Sequence, residues 1–170
     1  PKWKREKKDD TTAENNPPEI KQKQDELRMY TDGSCPENSK VNEQNSPAGW
    51  GIAIFNTSEN DTTNERKLTT GLFGPVETKH RSPHLLGAEF GSNNTGELTA
   101  ICEGLKWLLE HEDTNKPVAF YYDSKYAAKI TTGEYNAESN KYLAAKARTL
   151  LQQVKRQREI RFEHIKGPVS

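Results

Sequence analysis

The stretch NTGELTAICEGLKWLLEHEDTNKPVAFYYDS, residues 94–124, joins a helix pattern to a strand pattern and decides the fold class. Its first half repeats apolar residues at helical spacing, namely Leu98, Ile101, Leu105, Leu108 and Leu109. Asn94 is predicted to be the N-cap, with Glu97 three residues later as in a capping box. Its second half is an apolar strand, residues 118–122, followed by Asp123. A helix leading into a buried strand indicates an α/β protein.

Three strand patterns precede this stretch, and two helices and a strand follow it. The upstream strands are predicted at residues 27–31, 50–55 and about 66–73, with loops at 36–47 and 74–92. The downstream helices are predicted at 125–130 and 143–154, and the last strand at 160–165. The order β-β-β-α-β-α-α-β predicts a mixed sheet with helices packed on it.

Composition separates a polar N-terminal segment from one folded domain. Only 31% of the 170 residues are apolar and 29% are charged, so we expect a disordered tail or linker at 1–26 and a domain at 27–170. The first residue is not Met, which indicates a chain processed or cut from a longer one. No apolar run is long enough to span a bilayer, and Cys35 and Cys102 cannot form a disulfide framework. A reducing, intracellular location is expected.

Three carboxylates stand out by their positions in the predicted elements. Asp32 follows the first strand, Asp123 follows the fourth strand, and Glu97 lies in the first turn of the long helix. Ligands of open α/β sheets bind beyond the carboxyl ends of the strands, so parallel first and fourth strands would bring Asp32 and Asp123 together. Clustered carboxylates repel one another unless a cation lies between them, and oxygen-only ligands select Mg²⁺ or Mn²⁺. Such a site suits two-metal phosphodiester hydrolysis.

Each carboxylate also has an ordinary structural interpretation. Asp32 precedes Gly33 and Ser34, a common turn sequence. Asp123 is suited to be a simple N-cap, and Glu97 to be the capping-box partner of Asn94.

Longer motifs resemble the type 1 ribonuclease H family over about residues 27–167. They are YTDGSC (30–35), AGWG (48–51), NNTGELTA (93–100), YDSKYA (122–127), TGEY (132–135) and HIKG (164–167). The resemblance implies a ribonuclease H-like fold, a five-stranded mixed sheet of order 3-2-1-4-5 flanked by helices. It also implies cleavage of the RNA strand of RNA–DNA hybrids with two Mg²⁺ ions, for which Mn²⁺ can substitute.

The resemblance also assigns residues of this chain to the site. Asp32, Glu97 and Asp123 match three of the four family carboxylates, and the backbone of Gly33 joins them at the metals. Contacts to the nucleic acid are implied for Gly33, Ser34, Cys35, Asn93, Asn94, Thr95, Ser124 and Asn140. The chemistry agrees, because amide side chains in the wide minor groove of a hybrid can sense 2′-hydroxyls without selecting a sequence. Both cysteines are otherwise interpreted as packing residues.

Two departures from the family pattern limit the expected activity. The family continues after Gly167 with a His, a flexible loop, a fourth Asp and a last helix, whereas this sequence ends at Pro168-Val169-Ser170. His164 lies inside a predicted strand and does not replace the loop His. We therefore expect these 170 residues to be weakly active or inactive. The basic protrusion of some members is also missing, because residues 131–139 contain no Lys or Arg.

The net charge of zero conceals an uneven distribution. Residues 1–8 carry +4, residues 139–170 carry +6, and the segment between them carries −10. Basic residues of the last helix either contact phosphates or form an ordinary solvated face; they are Lys141, Lys146, Arg148, Lys155 and Arg156.

Three functions therefore compete. The leading one is a ribonuclease H catalytic domain acting on RNA–DNA hybrid, with an upstream hybrid-binding module or a larger assembly as a further partner. The alternatives are a non-catalytic module that binds hybrid or other nucleic acid, and a structural domain of a larger assembly.

Overall fold

A computed structural model describes residues 25–36, 47–57, 67–79, 81–111 and 116–165. Its strands are β1 (Glu26–Ser34), β2 (Gly49–Thr57), β3 (Lys67–Pro75), β4 (Val118–Tyr122) and β5 (Ile160–His164). Its helices are α1 (Asn93–Glu110), α2 (Lys125–Thr132) and α3 (Lys141–Lys155). The predicted order of elements is confirmed. The predicted tail up to residue 24 and most of the 36–47 loop lie outside the described residues.

The five strands form one mixed sheet in the order β3-β2-β1-β4-β5, as the family resemblance implied. β1 and β2 pair antiparallel, as do β2 and β3, whereas β4 lies parallel to both β1 and β5. The register aligns Tyr30 of β1 with Tyr121 of β4. Asp32 and Asp123 each lie two residues beyond this pair, so the parallel strands β1 and β4 bring both residues to the same end of the sheet.

The turn interpretation of Asp32 is wrong. β1 continues through Asp32, Gly33 and Ser34, which pair with Gly51, Trp50 and Gly49 of β2. The sequence Asp-Gly-Ser has weak strand propensity, and the ladder with β2 overrides it. Asp32 is therefore held in the β1–β2 ladder rather than by a turn.

The start of α1 also differs from the prediction. Ser92, not Asn94, is the N-cap, and its hydroxyl accepts from the Thr95 backbone N–H at 3.0 Å. Thr95 completes a capping box by accepting from the Ser92 backbone N–H at 2.6 Å. Glu97 is thus not a capping-box partner. Its carboxylate is left for another role.

The hydrophobic core lies between one face of the sheet and the three helices. Met29, Ile54, Phe120, Leu105 and Leu143 are among its fully buried members. The prediction that both cysteines pack inside the protein is confirmed, because Cys35 and Cys102 are buried and unbonded to each other. Burial raises the pKa of the Cys102 thiol to about 12, which makes it inert.

Residues 76–79 and 81–92 include side chains that pack against the core. Ala88 is buried in the core, and Val76 and Leu86 pack against it. Gly87 has a φ of 111° and lies so close to α3 that a Cβ there would meet the Tyr142 Cβ at 2.7 Å. The segment is therefore fixed to the helical layer by its own packing. A bilayer-crossing helix is not found anywhere in the described part of the chain.

Candidate active site

Asp32, Glu97 and Asp123 line one cavity at the carboxyl ends of β1 and β4. This cavity, which we call the carboxylate cavity, has a volume of about 550 Å³. Its other lining residues come from the end of β1 and from the first turns of α1 and α2: Gly33, Ser34, Cys35, Pro36, Asn93, Asn94 and Ser124. The structure thus brings together all three carboxylates that the sequence singled out.

Close contact between backbones places Glu97 against Asp32. A Cβ on Gly33 would collide with the Glu97 backbone N and lie 2.6 Å from the Gly96 carbonyl carbon. A Cβ on Gly96 would lie 2.6 Å from the Gly49 carbonyl oxygen. The absence of a side chain at Gly33 and Gly96 therefore lets the first turns of α1 rest directly on β1 and β2. This approach brings the Glu97 side chain to the end of β1.

Glu97 is the carboxylate whose protonation the surroundings change most. Burial, with repulsion from Asp32 and Asp123, raises its pKa from 4.5 to about 7, although a hydrogen bond from the Gly33 backbone N–H opposes the shift. Its Oε2 atom is buried and has no hydrogen-bond partner among the residues that the structure describes. A buried carboxylate oxygen without a donor is costly in the folded protein. An ionised Glu97 carboxylate is therefore unfavourable in the folded protein, and a bound cation would stabilise it.

The donor chemistry of the cavity fits a hard divalent cation. All three acidic side chains offer oxygen, which Mg²⁺ and Mn²⁺ prefer, and Glu97 Oε2 has no partner in the described residues. The three carboxylates line the cavity without converging on one point. Among the described residues, no three His, Cys, Asp or Glu side chains lie close enough together to hold an ion.

Asp123 is positioned by a residue that the sequence treated only as structural. His164 ends β5, and its Nε2 lies 3.0 Å from the Asp123 backbone oxygen. The side chain of Asp123 is exposed, and Ser124 caps α2 by accepting from Ala127 N–H at 3.1 Å. The interpretation of Asp123 as a simple N-cap is therefore wrong. The carboxylate of Asp123 is free of capping and faces the cavity.

The remaining polar residues assigned from the sequence differ in what they can offer a substrate. Asn93 and Asn94 are exposed at the start of α1, and Ser34 is exposed at the end of β1. By contrast, the Cys35 thiol is buried at 4.0 Å from the Gly91 carbonyl oxygen. Thr95 is buried because it forms the α1 capping box. Ser34, Asn93 and Asn94 are thus exposed at the cavity, whereas Cys35 and Thr95 are buried.

Asn140 lies in a second cavity that adjoins the first. This cavity of about 250 Å³ is lined by Asn94, which it shares with the carboxylate cavity, and by Tyr126, Ser139 and Asn140. Asn140 adopts a φ of 55° and its Oδ1 accepts from the Glu89 backbone N–H at 2.8 Å. The side-chain carbonyl of Asn140 therefore links Glu89 to the start of α3.

A family model of RNase H matches residues 23–168 of this sequence. This chain belongs to the RNase H family. The match includes every described strand and helix and all three cavity carboxylates. It confirms the family that the sequence motifs indicated. No curated protein sequence matches the chain significantly.

Solved structures share the RNase H fold at low sequence identity. RNase H1 from the halophilic archaeon Halobacterium salinarum is 15% identical with a TM-score of 0.55, covering 82% of this chain and 85% of that one. The N-terminal RNase H domain of rv2228c from Mycobacterium tuberculosis is 17% identical with a TM-score of 0.58, covering 85% of each chain. LC11-RNase H1, isolated from compost and solved in complex with an RNA/DNA hybrid, is 18% identical with a TM-score of 0.54, covering 82% and 84%.

Replacing His164 should weaken activity of this RNase H domain through Asp123. In His164→Ala the Asp123 carbonyl loses its ring partner, so we expect activity to fall about three- to tenfold and to need more Mg²⁺. His164→Gln keeps an N–H donor and should recover part of the loss. The control is His111→Ala, because His111 also contacts a backbone oxygen, that of Trp107 at 2.9 Å, but at the other end of α1. An equal loss in both alanine variants, measured by Mg²⁺ titration of cleavage, would contradict a positioning role.

Proposed function

We propose that this chain hydrolyses the RNA strand of RNA–DNA hybrids at the carboxylate cavity. The observation that carries the proposal is the meeting of Asp32, Glu97 and Asp123 in one cavity, with a buried Glu97 oxygen that has no hydrogen-bond partner in the described part of the chain. Membership of the RNase H family supports the reaction type. A relative of the same fold, LC11-RNase H1, was solved in complex with RNA/DNA hybrid, which supports the choice of ligand.

Asp32, Glu97 and Asp123 are the residues that would hold divalent cations. Two Mg²⁺ ions, when bound, supply an activated water and stabilise the leaving oxygen of the phosphodiester. The chain itself fixes the donors: the Gly33 N–H orients Glu97, and β1 holds Asp32 in the ladder. His164 holds the backbone of Asp123. We expect weak cation binding and weak activity, because the described carboxylates do not converge on one point.

Asn93 and Asn94 are suited to select the hybrid. Both are exposed beside the cavity on the first turn of α1, and an amide offers both a donor and an acceptor. The minor groove of a hybrid displays 2′-hydroxyls on one strand, and these hydroxyls mark the strand to be cut. Asn94 also lines the second cavity, where Tyr126 and Asn140 lie. A hybrid crossing both cavities would present the RNA strand at the carboxylates and the DNA strand near Asn140.

The decisive experiment compares cleavage of end-labelled RNA–DNA hybrid, double-stranded RNA and single-stranded RNA at millimolar Mg²⁺ or Mn²⁺. We expect the RNA of the hybrid alone to be cut, and Asp32→Asn to reduce the rate at least about a hundredfold. Asp25→Asn is the matched control, since it makes the same change near the other end of β1. Equal cleavage by Asp32→Asn, or equal cleavage of single-stranded RNA, would refute the proposal.

A non-catalytic hybrid-binding module is the second candidate. It is favoured because, among the described residues, the three carboxylates do not lie close enough together to form a three-ligand metal site. Binding of hybrid without cleavage at any concentration of Mg²⁺ or Mn²⁺ would support this candidate and reject the first.

A further inference from the structure

The exposed side of α3 carries a concentration of positive charge that the candidate active site does not use. Residues 139–158 contain six basic residues and no acidic one, although the whole chain has 25 of each sign. The opposite side of α3 is apolar and packs into the core through Leu143, Ala147 and Leu151. The charge therefore projects away from the body of the domain.

The structure separates structural arginines from free cations. Arg148 donates to the Ile130 carbonyl at 2.9 Å and to the Tyr135 carbonyl at 2.5 Å, so it fastens the turn after α2. Arg158 is buried, and burial lowers its pKa. The other four are exposed and make no ion pair with another described residue; we call them the basic face of α3: Lys141, Lys146, Lys155 and Arg156.

The basic face begins where the second cavity ends. Asn140 lines that cavity, and Lys141 is the next residue along the chain. From Lys141 to Lys155 the helix advances about 21 Å, which is about two thirds of one turn of a nucleic-acid duplex. Tyr142, 79% exposed, stands between Lys141 and Lys146 and offers a hydroxyl donor. Nine residues, or about two and a half turns, separate Lys146 from Lys155, so these two lie at opposite margins of the exposed side of α3 and the basic face spans the width of that side as well as its length.

We propose that the basic face of α3 is a second nucleic-acid contact surface that binds duplex phosphates outside the two cavities. Charge complementarity identifies the occupant, because phosphates recur at regular intervals along a duplex and lysines contact them without reading sequence. The surface therefore does not distinguish hybrid from double-stranded DNA. This inference rests on the proposed function and adds a surface that increases affinity for the duplex. Selectivity for the hybrid and cleavage remain functions of the two cavities.

The test measures duplex binding without cleavage. Fluorescence anisotropy in EDTA, with a labelled 30-base-pair DNA duplex and a hybrid of equal length, compares the full chain with the triple variant Lys146→Gln, Lys155→Gln, Arg156→Gln. We expect affinity for both duplexes to fall about tenfold at 50 mM salt, and the slope of log affinity against log salt to decrease by about two to three. Lys141 is left intact because it adjoins Asn140.

A matched control removes the same amount of charge from residues outside α3. The variant Lys79→Gln, Arg81→Gln, Lys116→Gln changes two exposed cations of the 76–92 segment and one cation before β4. It should leave affinity within about twofold of wild type. An equal loss in control and test variants, or no change of salt slope in the test variant, would overturn the proposal. Failure of the proposed function is separate, because it would appear as hybrid that is bound but never cut.

Discussion

Replacing Glu97 by glutamine is expected to abolish hybrid cleavage and, in the metal-free protein, to increase stability at pH 8. The negative charge of Glu97 is needed to bind a divalent cation. Without a cation, the same buried charge destabilises the folded protein. Glutamine keeps the shape and accepts the Gly33 N–H, but its neutral amide is a far poorer ligand for a divalent cation. We expect the cleavage rate to fall at least about a hundredfold.

The gain in stability follows from the raised pKa of Glu97. In the folded protein the pKa is about 7, against 4.5 for an unperturbed Glu. The folded state therefore binds the proton more tightly, and the wild-type free energy of unfolding decreases as pH rises from about 4.5 to about 7. The neutral glutamine side chain removes this decrease. After allowance for solvent screening, we expect the substitution to add about 1–2 kcal/mol at pH 8 and little at pH 4.5.

Urea unfolding in EDTA at pH 4.5 and pH 8 measures this difference. The matched control is Glu103→Gln on the same helix, whose carboxylate is half-buried and 3.7 Å from the Lys106 ammonium; because it loses this ion pair, it should be no more stable than wild type at pH 8. Added Mg²⁺ should raise the unfolding temperature of wild type more than that of Glu97→Gln. If Glu97→Gln instead lowers the free energy of unfolding at pH 8, the ionised Glu97 carboxylate does not destabilise the folded protein through burial and repulsion from Asp32 and Asp123.

Strand polarity made two of the three acidic members of the carboxylate cavity predictable. Asp32 and Asp123 follow apolar runs, and a parallel pairing of β1 with β4 carries both to one edge. Glu97 was found by its distance from the start of an amphipathic helix. Its position could be predicted to within a turn even though the capping residue was wrong.

The cap itself could not be predicted because four consecutive residues, Ser92 to Thr95, are all able to cap a helix. Tertiary contact decides among them. The contact of Gly96 with Gly33 and Gly49 sets where the helix meets the sheet, and this makes Ser92 the N-cap. Local propensity carries no information about such a contact between distant segments.

His164 and Asn140 illustrate the other limit of sequence reasoning. His164 contacts a backbone oxygen, so nothing in the identity of Asp123 signals the pairing. The side-chain oxygen of Asn140 accepts a hydrogen bond from Glu89, fifty-one residues away. Asn140 also adopts a left-handed backbone conformation, which single residues adopt for tertiary reasons. In both cases the partner is a main-chain atom that any residue type would supply.

Replacing Gly33 by Ala is expected to produce the largest loss of stability of any single methyl addition at the cavity. The new Cβ would collide with the Glu97 backbone N, and it would lie 2.6 Å from the Gly96 carbonyl carbon and 3.0 Å from the Asn93 carbonyl oxygen. All three atoms belong to the backbone of α1, so no side-chain rotation relieves the contact. The helix and strand must separate, which costs about 3 kcal/mol.

Urea unfolding of Gly33→Ala should be compared with Gly71→Ala, a matched change in β3. A Cβ on Gly71 meets only the Ile52 carbonyl oxygen at 4.0 Å, so this variant should unfold within about 0.5 kcal/mol of wild type. Folded Gly33→Ala should also need more Mg²⁺ for cleavage, because separating α1 from β1 withdraws Glu97 from Asp32. Equal midpoints for the two variants would mean that the backbones do not touch, and the close approach that assembles the carboxylate cavity would have to be abandoned.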